Sequence, residues 1–291
     1  MSFREKLSSG KFIITAEISP PKGTDIADMI KEAGLIKDIV DAVNITDNQR
    51  AIMRMSPAAA CSLLSNRGYE TIMHLTCRDR NRLALQSELL GASAMGIHNV
   101  LVVSGDHTTK GDHEGAKPVY DLDSVQLLGL IQKLNLGFDL SGNLLDGKPD
   151  FCSGAVASVE LNEPGFMKLK KKRRMGAEFI QTQAVFDTRK LSEFMNKIKS
   201  SEAFDGIKII AGIIPLRSEK NAIFLNKNIP GIKVPEPIIE QMRTAKDPVD
   251  KGMEIAAGLI KELQGLCDGV HIMPVGNHEN TARILEMAEI R

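Results

Sequence analysis

The sequence predicts a single (β/α)8 barrel, an α/β fold, on three observations. Eight short runs rich in β-branched and aliphatic residues recur along the 291 residues, and nearly every gap between them is long enough for a helix. Eight alternating strand and helix units in a chain of this length are typical of a closed parallel barrel. The turn after the first run, SPPKGTD, lacks the glycine-rich phosphate pattern of the competing doubly wound open sheet.

The predicted elements follow one another in a regular order. The eight strands are expected at residues 12–18, 42–46, 71–77, 99–104, 153–159, 179–185, 207–215 and 269–275. Amphipathic helical patterns occupy 123–134, 166–176, 187–199 and 249–263, and 277–290 is expected to form a closing helix. No low-complexity linker divides the chain, so one catalytic barrel is expected over residues 1–291, with insertions near 105–120 and 135–150.

Composition excludes several classes of protein. The 37 basic and 37 acidic residues balance, which argues against a dedicated nucleic-acid binder. No apolar stretch approaches the roughly 20 residues that span a bilayer. The first residues, MSFREKLSSGKF, lack the apolar core of a signal peptide, so a cytoplasmic protein is expected.

Cysteine and histidine spacing gives no sign of a metal centre. The four cysteines lie far apart without a CxxC pair, so neither a disulfide framework nor a zinc or iron–sulfur site is expected in this chain. Reduced and mostly buried thiols are expected instead. The histidines and acids of loop 105–120 match no recognised ligand pattern, and no metal is predicted there. The basic run 168–174 is expected to be a solvated helix face, with Lys172 alone turned toward a cofactor.

Polar residues at the predicted carboxyl ends of the strands mark the expected active site, because these ends converge in a barrel. They are Glu17, Thr46, Asp47, Asn48, His74, Thr76, Ser104, Gly105, Asp106, Glu160, Gln181, Gln183, Arg217 and Asn277. Glu17 lies within an apolar strand. It is a candidate for desolvation, a raised pKa and general acid catalysis. The residues alone equally allow Glu17 to face solvent or to cap a neighbouring helix.

Several motifs occur in a specific order along nearly the whole chain: AEISPP, HLTC, SGDHT with a following KPVY, TQAVFD, AGIIP and VHIMPVGN. Together they resemble the methylenetetrahydrofolate reductases, which are flavin-containing (β/α)8 barrels of one-carbon metabolism. The segment DLDSVQLL is more similar to the branch found in acetogen-type anaerobes than to the enteric type.

The resemblance implies a role for particular residues. Glu17 matches the general acid that protonates folate N10 as the five-membered ring opens, and Asp106 matches the aspartate that stabilises the cationic iminium. Gln183 matches a pterin-binding glutamine, and Asn277 lies near the expected substrate. The implied flavin contacts are Thr46, His74, Ser104, Gly105, Asp106, Tyr120 and Lys172.

The sequence departs from the enteric pattern at five of these family positions. Gly165 replaces an aspartate, and Ser158 replaces a tyrosine. Ser104 and Asn277 each replace an arginine, and Leu225 replaces a stacking phenylalanine. The changes leave open whether the cofactor is FAD or FMN. They favour a partner subunit that carries an iron–sulfur electron relay over direct use of NADH, and hence an oligomer or hetero-complex.

The function implied is flavin-dependent reduction of 5,10-methylenetetrahydrofolate to 5-methyltetrahydrofolate, with a hydride passing from flavin N5 to the iminium carbon. One alternative is a pterin-binding methyltransferase barrel without redox chemistry. The other is a non-catalytic subunit that docks flavin or folate within an electron-transfer complex.

Overall fold

The eight strands of the computed structural model, which describes residues 1–229, 231–274, 276 and 278–290, form a closed parallel barrel. They pair in chain order, and β8 closes the barrel against β1. Their bounds are β1 Ile13–Ile18, β2 Ala42–Ile45, β3 Thr71–Thr76, β4 Asn99–Val103, β5 Cys152–Ala157, β6 Phe179–Ala184, β7 Lys208–Ile213 and β8 Gly269–Ile272. The predicted fold class is therefore confirmed.

Eleven α-helices occur in the described residues, and they cover the outside of the barrel and its amino end. Their bounds are α1 Phe3–Ser8, α2 Ala27–Gly34, α3 Pro57–Ser65, α4 Arg82–Ala94, α5 Ser124–Asn135, α6 Glu163–Arg174, α7 Thr188–Lys199, α8 Glu219–Asn228, α9 Glu236–Thr244, α10 Pro248–Leu263 and α11 Thr281–Met287. Side-chain caps fix several starts. Asp123 accepts hydrogen bonds from the first turn of α5, while Gln126 binds back to its backbone.

The predicted strands extend one or two residues beyond most of the observed ones. The chain leaves the sheet earlier because the residues at the carboxyl ends turn into the loops around a cavity. The bridge between β6 and β7 also shifts register between Gln181 and Ala184. The end of the last predicted strand, Val275, lies outside the described residues.

The amino end of the barrel is filled by apolar side chains. Phe3 and Leu7 of α1 pack beneath the strands against Ile13, Leu101 and Phe179. The rings of Phe3 and Phe179 meet edge to face, with their centroids 5.3 Å apart. Helix α1 therefore closes this end of the barrel, and the opposite end is the open one.

The two predicted insertions fold back onto the barrel. In loop 105–120 a single 3-10 turn spans Thr108–Lys110, and the backbone N–H of Val119 donates to the carbonyl of Arg78. In 135–150 the side chain of Asn135 both donates to and accepts from the backbone of Phe151, at 2.9 Å each way. In the described part of the chain, no helix is long and apolar enough to cross a membrane.

Candidate active site

A cavity of about 1510 Å³ opens at the carboxyl ends of the strands. Twelve of the predicted site residues line it, and Glu160 and Arg217 do not. The twelve are Glu17, Thr46, Asp47, Asn48, His74, Thr76, Ser104, Gly105, Asp106, Lys172, Gln181 and Gln183. Tyr120 does not line the cavity, and Asn277 lies outside the described residues. The structure thus brings together most of the side chains that the sequence selected, from five different strands and one helix.

A layer of hydrogen-bonded polar groups forms the floor of the cavity. The Nδ2 amide of Asn44 donates to Nε2 of His74 at 3.1 Å and to Oε1 of Gln181 at 2.9 Å. Burial, partly offset by the charge of Glu17, lowers the pKa of His74 to about 4. His74 is therefore a neutral imidazole near pH 7, which is the form that accepts the Asn44 hydrogen bond.

The Glu17 carboxylate lies at the edge of this floor, and its side chain is 14% exposed. Burial raises its pKa, but His271, the charge of His74 and the Gln49 amide together outweigh that effect. Gln49 donates to Oε1 at 2.8 Å. The net pKa of Glu17 is lowered, so the expectation of a raised pKa is wrong. The sequence predicted the desolvation of Glu17, but it did not predict the histidines that lower the pKa of this carboxylate.

Arg78 joins three loops at the rim of the cavity. Its guanidinium pairs with Asp79 at 2.7 Å and donates to the backbone carbonyls of Asn48 at 3.0 Å and Asp106 at 3.1 Å. The side chain is almost fully buried. These contacts tie the loops after β2, β3 and β4 to one another and fix the backbone at Asp106.

A second buried ion pair lies behind the first. The carboxylate of Asp47 is fully buried and accepts from Arg80 at 2.8 Å. The same oxygen accepts from the backbone N–H and the hydroxyl of Thr76, at 2.9 and 2.8 Å. The three donors lie at or just after the end of β3 and Asp47 just after β2, so the arrangement ties the ends of these two strands together.

Gly105 requires the conformational freedom of glycine. Its φ is +82°, and a Cβ there would lie 3.2 Å from the Cβ atoms of Thr76 and Arg78. The Tyr120 hydroxyl donates to the Gly105 carbonyl at 3.1 Å. Tyr120 therefore supports the cavity wall through Gly105 instead of lining it.

We expect Gly105→Ala to destabilise the fold more than Gly10→Ala does. Both glycines have a positive φ, which costs a side chain about 1–2 kcal/mol. Gly10 has no atom within 4 Å of an added Cβ, whereas Gly105 has two close neighbours. Urea denaturation of the two variants measures the difference. Equal losses of unfolding free energy would show that the wall around Gly105 yields without cost.

Lys172 is the one residue of the basic run 168–174 that lines the cavity. Its Nζ donates to the backbone carbonyl of Val156 at 2.7 Å. Burial and the nearby charge of Lys168 lower the pKa of Lys172 to about 8. Lys168, Lys171 and Arg174 are exposed, as expected for a solvated helix face.

The remaining predicted residues have simpler surroundings. The carboxylate of Asp106 lies 3.2 Å from Nζ of Lys110 and is 40% exposed. Gln183 lies on β6 close to Gly231, and its Cγ atom would be 3.6 Å from a Cβ atom added at that glycine. Among the cysteines, Cys61, Cys77 and Cys152 are buried free thiols and Cys267 is half-buried. The described residues contain no cluster of three or more His, Cys, Asp or Glu placed to hold a metal ion.

Leu225 replaces the stacking phenylalanine of the family pattern, but an aromatic ring one residue earlier, Phe224, lines the cavity. Leu225 is nearly buried within α8, while the neighbouring Phe224 is 41% exposed. The Arg50 guanidinium lies over the Phe224 ring, 5.8 Å from its centroid. Asn48, Arg50 and Ala51 all have positive φ, a conformation that non-glycine residues rarely adopt and that concentrates at functional sites.

Sequence reasoning missed five residues that shape this site: Asn44, Arg78, Arg80, His271 and His278. Two of them, Asn44 and His271, are polar residues within otherwise apolar strands, which is a signal that they face the barrel interior. The Nε2 atom of His278 lies 2.8 Å from the backbone carbonyl of Glu17. Nothing in the spacing of Arg78, Arg80 or His278 indicates these contacts.

The fold and the site define a barrel protein with a large cavity at the carboxyl ends of its strands, where such proteins place their chemistry. Comparison with known families makes this specific. The family described as methylenetetrahydrofolate reductase matches residues 2–289, so the chain belongs to that family. The resemblance carried by the sequence motifs is confirmed.

Curated relatives carry the same family name. The chain is similar to methylenetetrahydrofolate reductase 2 of Schizosaccharomyces pombe, 27% identical over 237 residues that cover 74% of this chain and 35% of the relative. It is 28% identical over 194 residues to a probable methylenetetrahydrofolate reductase (NADH) of Oryza sativa subsp. japonica, covering 61% and 30%. The chain thus spans about a third of the length of these relatives.

Solved structures show the same fold at low identity. EDTA monooxygenase from Chelativorans sp. BNC1 superposes with a TM-score of 0.61 at 9% identity, over 96% of this chain and 93% of that chain. A 2,3-dimethylmalate lyase superposes with a TM-score of 0.53 at 11% identity, over 99% and 83%. These likenesses bear on the barrel architecture alone.

Proposed function

We propose that this chain reduces 5,10-methylenetetrahydrofolate to 5-methyltetrahydrofolate with a bound flavin. The observation that carries the proposal is the convergence of Glu17, Asp106 and Gln183 on one cavity in a member of this family. An acid, an anion and an amide around one cavity are the groups that opening and reducing a pterin-linked ring require. Residues 1–291 act as one catalytic barrel in this proposal, with 105–120 and 135–150 as its insertions.

The residues of the cavity fit a flavin. The volume of about 1510 Å³ exceeds what a drug-sized ligand needs, and the wall at Gly105 would be filled by any added side chain. Lys172 offers a cation for a phosphate, and Thr46, His74, Ser104, Gly105 and Asp106 offer polar contacts to a planar ring. Tyr120 contributes by holding the Gly105 carbonyl. The flavin, FAD or FMN, supplies hydride transfer when bound.

The chain's own residues handle the proton and the charge. Glu17 delivers a proton to folate N10, which opens the five-membered ring and leaves a cationic iminium at N5. Asp106, whose backbone is fixed by Arg78, places a negative charge near that cation. Gln183 donates to and accepts from the pterin edge through its amide. Asn277 completes the substrate side in this proposal.

The absorption spectrum of the purified protein, with the flavin released and identified, tests the proposal. We expect a yellow protein whose chemically reduced form is reoxidised by methylenetetrahydrofolate. A colourless protein that transfers the one-carbon unit would support the methyltransferase alternative. A flavoprotein that is inert toward folate with reduced viologen as donor would support a docking subunit.

Asp106→Asn is expected to slow reoxidation by folate and to raise the flavin potential. Loss of a nearby anion makes it easier to add electrons to the ring. Stopped-flow absorbance and a dye-equilibrium titration measure the two quantities. Asp146→Asn, in the exposed part of loop 135–150, is the control and is expected to change neither. If Asp106→Asn leaves both unchanged, Asp106 does not lie beside the flavin.

The electron donor in this proposal is a partner subunit with an iron–sulfur relay, in preference to NADH. The four cysteines are scattered and buried or half-buried, a placement that offers no set of ligands for an iron–sulfur cluster. Ser104 and Asn277 lack the planar donors that arginine offers to phosphates. We accordingly place the chain in a cytoplasmic hetero-complex or oligomer of the branch found in acetogen-type anaerobes, without nucleic acid. The exposed Phe224 ring is the feature that favours NADH instead.

Stopped-flow mixing of NADH with the isolated flavoprotein decides between the two donors. We expect weak flavin reduction by NADH and active folate chemistry with reduced viologen. Bleaching at tens of events per second, within the usual range of enzyme turnover, would show that no partner is needed. In that case Phe224→Leu, compared with Leu225→Ala, identifies which side chain receives the nicotinamide.

A further inference from the structure

His271 lies in the barrel interior directly below the cavity. It is fully buried on β8 and pairs in register with Thr15 on β1. Its Nδ1 atom lies 2.9 Å from the Thr15 hydroxyl oxygen. Thr15 and Glu17 are two residues apart on one strand, so their side chains point to the same interior face. His271 is therefore fixed at one ring nitrogen, with the other facing Glu17.

That second nitrogen lacks a hydrogen-bond partner among the described residues. Nε2 of His271 is buried and lies 4.0 Å from Oε2 of Glu17. An unpaired polar atom in the interior costs free energy, and such atoms in native structures call for an explanation. The other carboxylate oxygen is held by Gln49, and the Glu17 backbone carbonyl by His278. A hydrogen bond between the two would need the carboxylate to move by about 1 Å, since such bonds are about 2.9 Å long.

Other ionisable groups surround this pair on each side. His74 on β3 faces both Glu17 and His271, and Asp47 in turn faces His74. His278, after β8, also faces both members of the pair and lies beside Glu32. His74 and His278 both have lowered pKa values through burial, so near pH 7 they contribute little positive charge. Among the described residues, Glu17 is the only carboxylate within 4.0 Å of the free nitrogen.

We propose that His271 is the positioning residue that holds and supplies the transferable proton of Glu17; this rests on the function proposed above. In the resting pair Nε2 of His271 holds the proton and faces Oε2 of Glu17. During turnover the Nε2–H bond breaks as an O–H bond forms on Glu17, and that O–H bond breaks as the N–H bond forms at folate N10. His271 ends neutral, with Nδ1–H donated to Thr15, and Glu17 ends as a carboxylate. Water restores the proton after the product leaves.

The first test reads the pair without flavin or folate. Histidine ¹⁵N NMR of the whole protein, assigned with His→Gln variants, reports which ring nitrogens of His271 carry a proton. Glu17→Gln removes the carboxylate 4.0 Å from Nε2, so the ¹⁵N shift of Nε2 is expected to move toward that of an unprotonated nitrogen. An unmoved Nε2 shift overturns the proposal, whatever the outcome of the folate assays.

The second test separates proton supply from hydrogen bonding. His271→Gln keeps an N–H near Glu17 but cannot release a proton, and His271→Asn keeps only the Thr15 side. We expect both variants to lose at least about tenfold in the single-turnover folate rate, within the range of acid–base contributions. The alkaline limb of the rate profile is expected to shift, because Glu17 alone must then retain the proton and has lost a partner that lowers its pKa.

Controls make each result decisive. His98→Asn, an exposed histidine at the opposite end of the barrel, is expected to leave the rate and the limb unchanged. Thr15→Val keeps the imidazole and removes only its hydroxyl partner, so it reports on the pair even if a His271 variant fails to fold. A wild-type rate in His271→Gln, or an unshifted limb in both variants, overturns proton supply. A wild-type protein inert toward folate overturns the proposed function, and the NMR shift still reports the pair.

Discussion

Glu17→Gln is expected to lower the rate of flavin reoxidation by methylenetetrahydrofolate by about 10²–10⁴-fold, the usual contribution of a general acid. The amide has nearly the shape of the carboxylic acid but has no proton to transfer. The Gln49 contact and the backbone contact with His278 can both persist, so the cavity keeps its form. Stopped-flow absorbance at the flavin band measures the rate.

The same variant should keep its flavin and accept electrons from dithionite or viologen as the unaltered chain does. Glu193→Gln, an exposed glutamate on α7, is the matched control and is expected to leave the folate rate unchanged. A folate rate in Glu17→Gln within about threefold of the starting protein would remove Glu17 from its proposed role, because this change is far below a general-acid contribution.

Arg80→Met is expected to lower the free energy of unfolding by about 3–5 kcal/mol, because it leaves a buried charge without its partner. The Asp47 carboxylate is fully buried and is held by Arg80 and by two groups of Thr76. Methionine fills much of the arginine volume, so the loss reports the charge and not a cavity. Urea denaturation, followed by circular dichroism, measures it.

Arg82→Met provides the comparison two residues away. Arg82 pairs with Asp121 at 2.9 Å, but its side chain is 57% exposed. Exposed ion pairs contribute about 0–1 kcal/mol, so this variant should remain close to the starting stability. Similar losses in the two variants would mean that water reaches Asp47 and screens it.

Much of the architecture could be predicted because it depends on local patterns. Each β-branched run became a strand, and the helical repeats at 187–199 and 249–263 became α7 and α10. The site residues at the strand ends followed from the barrel, since parallel strands bring their carboxyl ends together. Lys172 could be separated from its basic neighbours only through the family resemblance.

The features that could not be predicted from the sequence depend on contacts between distant segments. The lowered pKa of Glu17 depends on His271 and His74, which lie on other strands, and no spacing in the sequence relates the three. Arg78 appears in the sequence as one charge among several in CRDR, yet it is buried and joins three loops. The two partners that join the neighbouring loops are backbone carbonyls, and these leave no trace in residue identity.

The apolar plug that α1 forms at the amino end gives the interior of the barrel a single entrance. Water, protons and reactants all reach Glu17 through the mouth at the carboxyl ends. A folate seated over that mouth would isolate the groups beneath it from bulk solvent. Under the proposed function, Glu17 and His271 would have to hold the proton before folate binds, and each binding event would use that one proton. The pH dependence of turnover would then reflect whether the proton is in place when the substrate binds, as well as the affinity for the substrate.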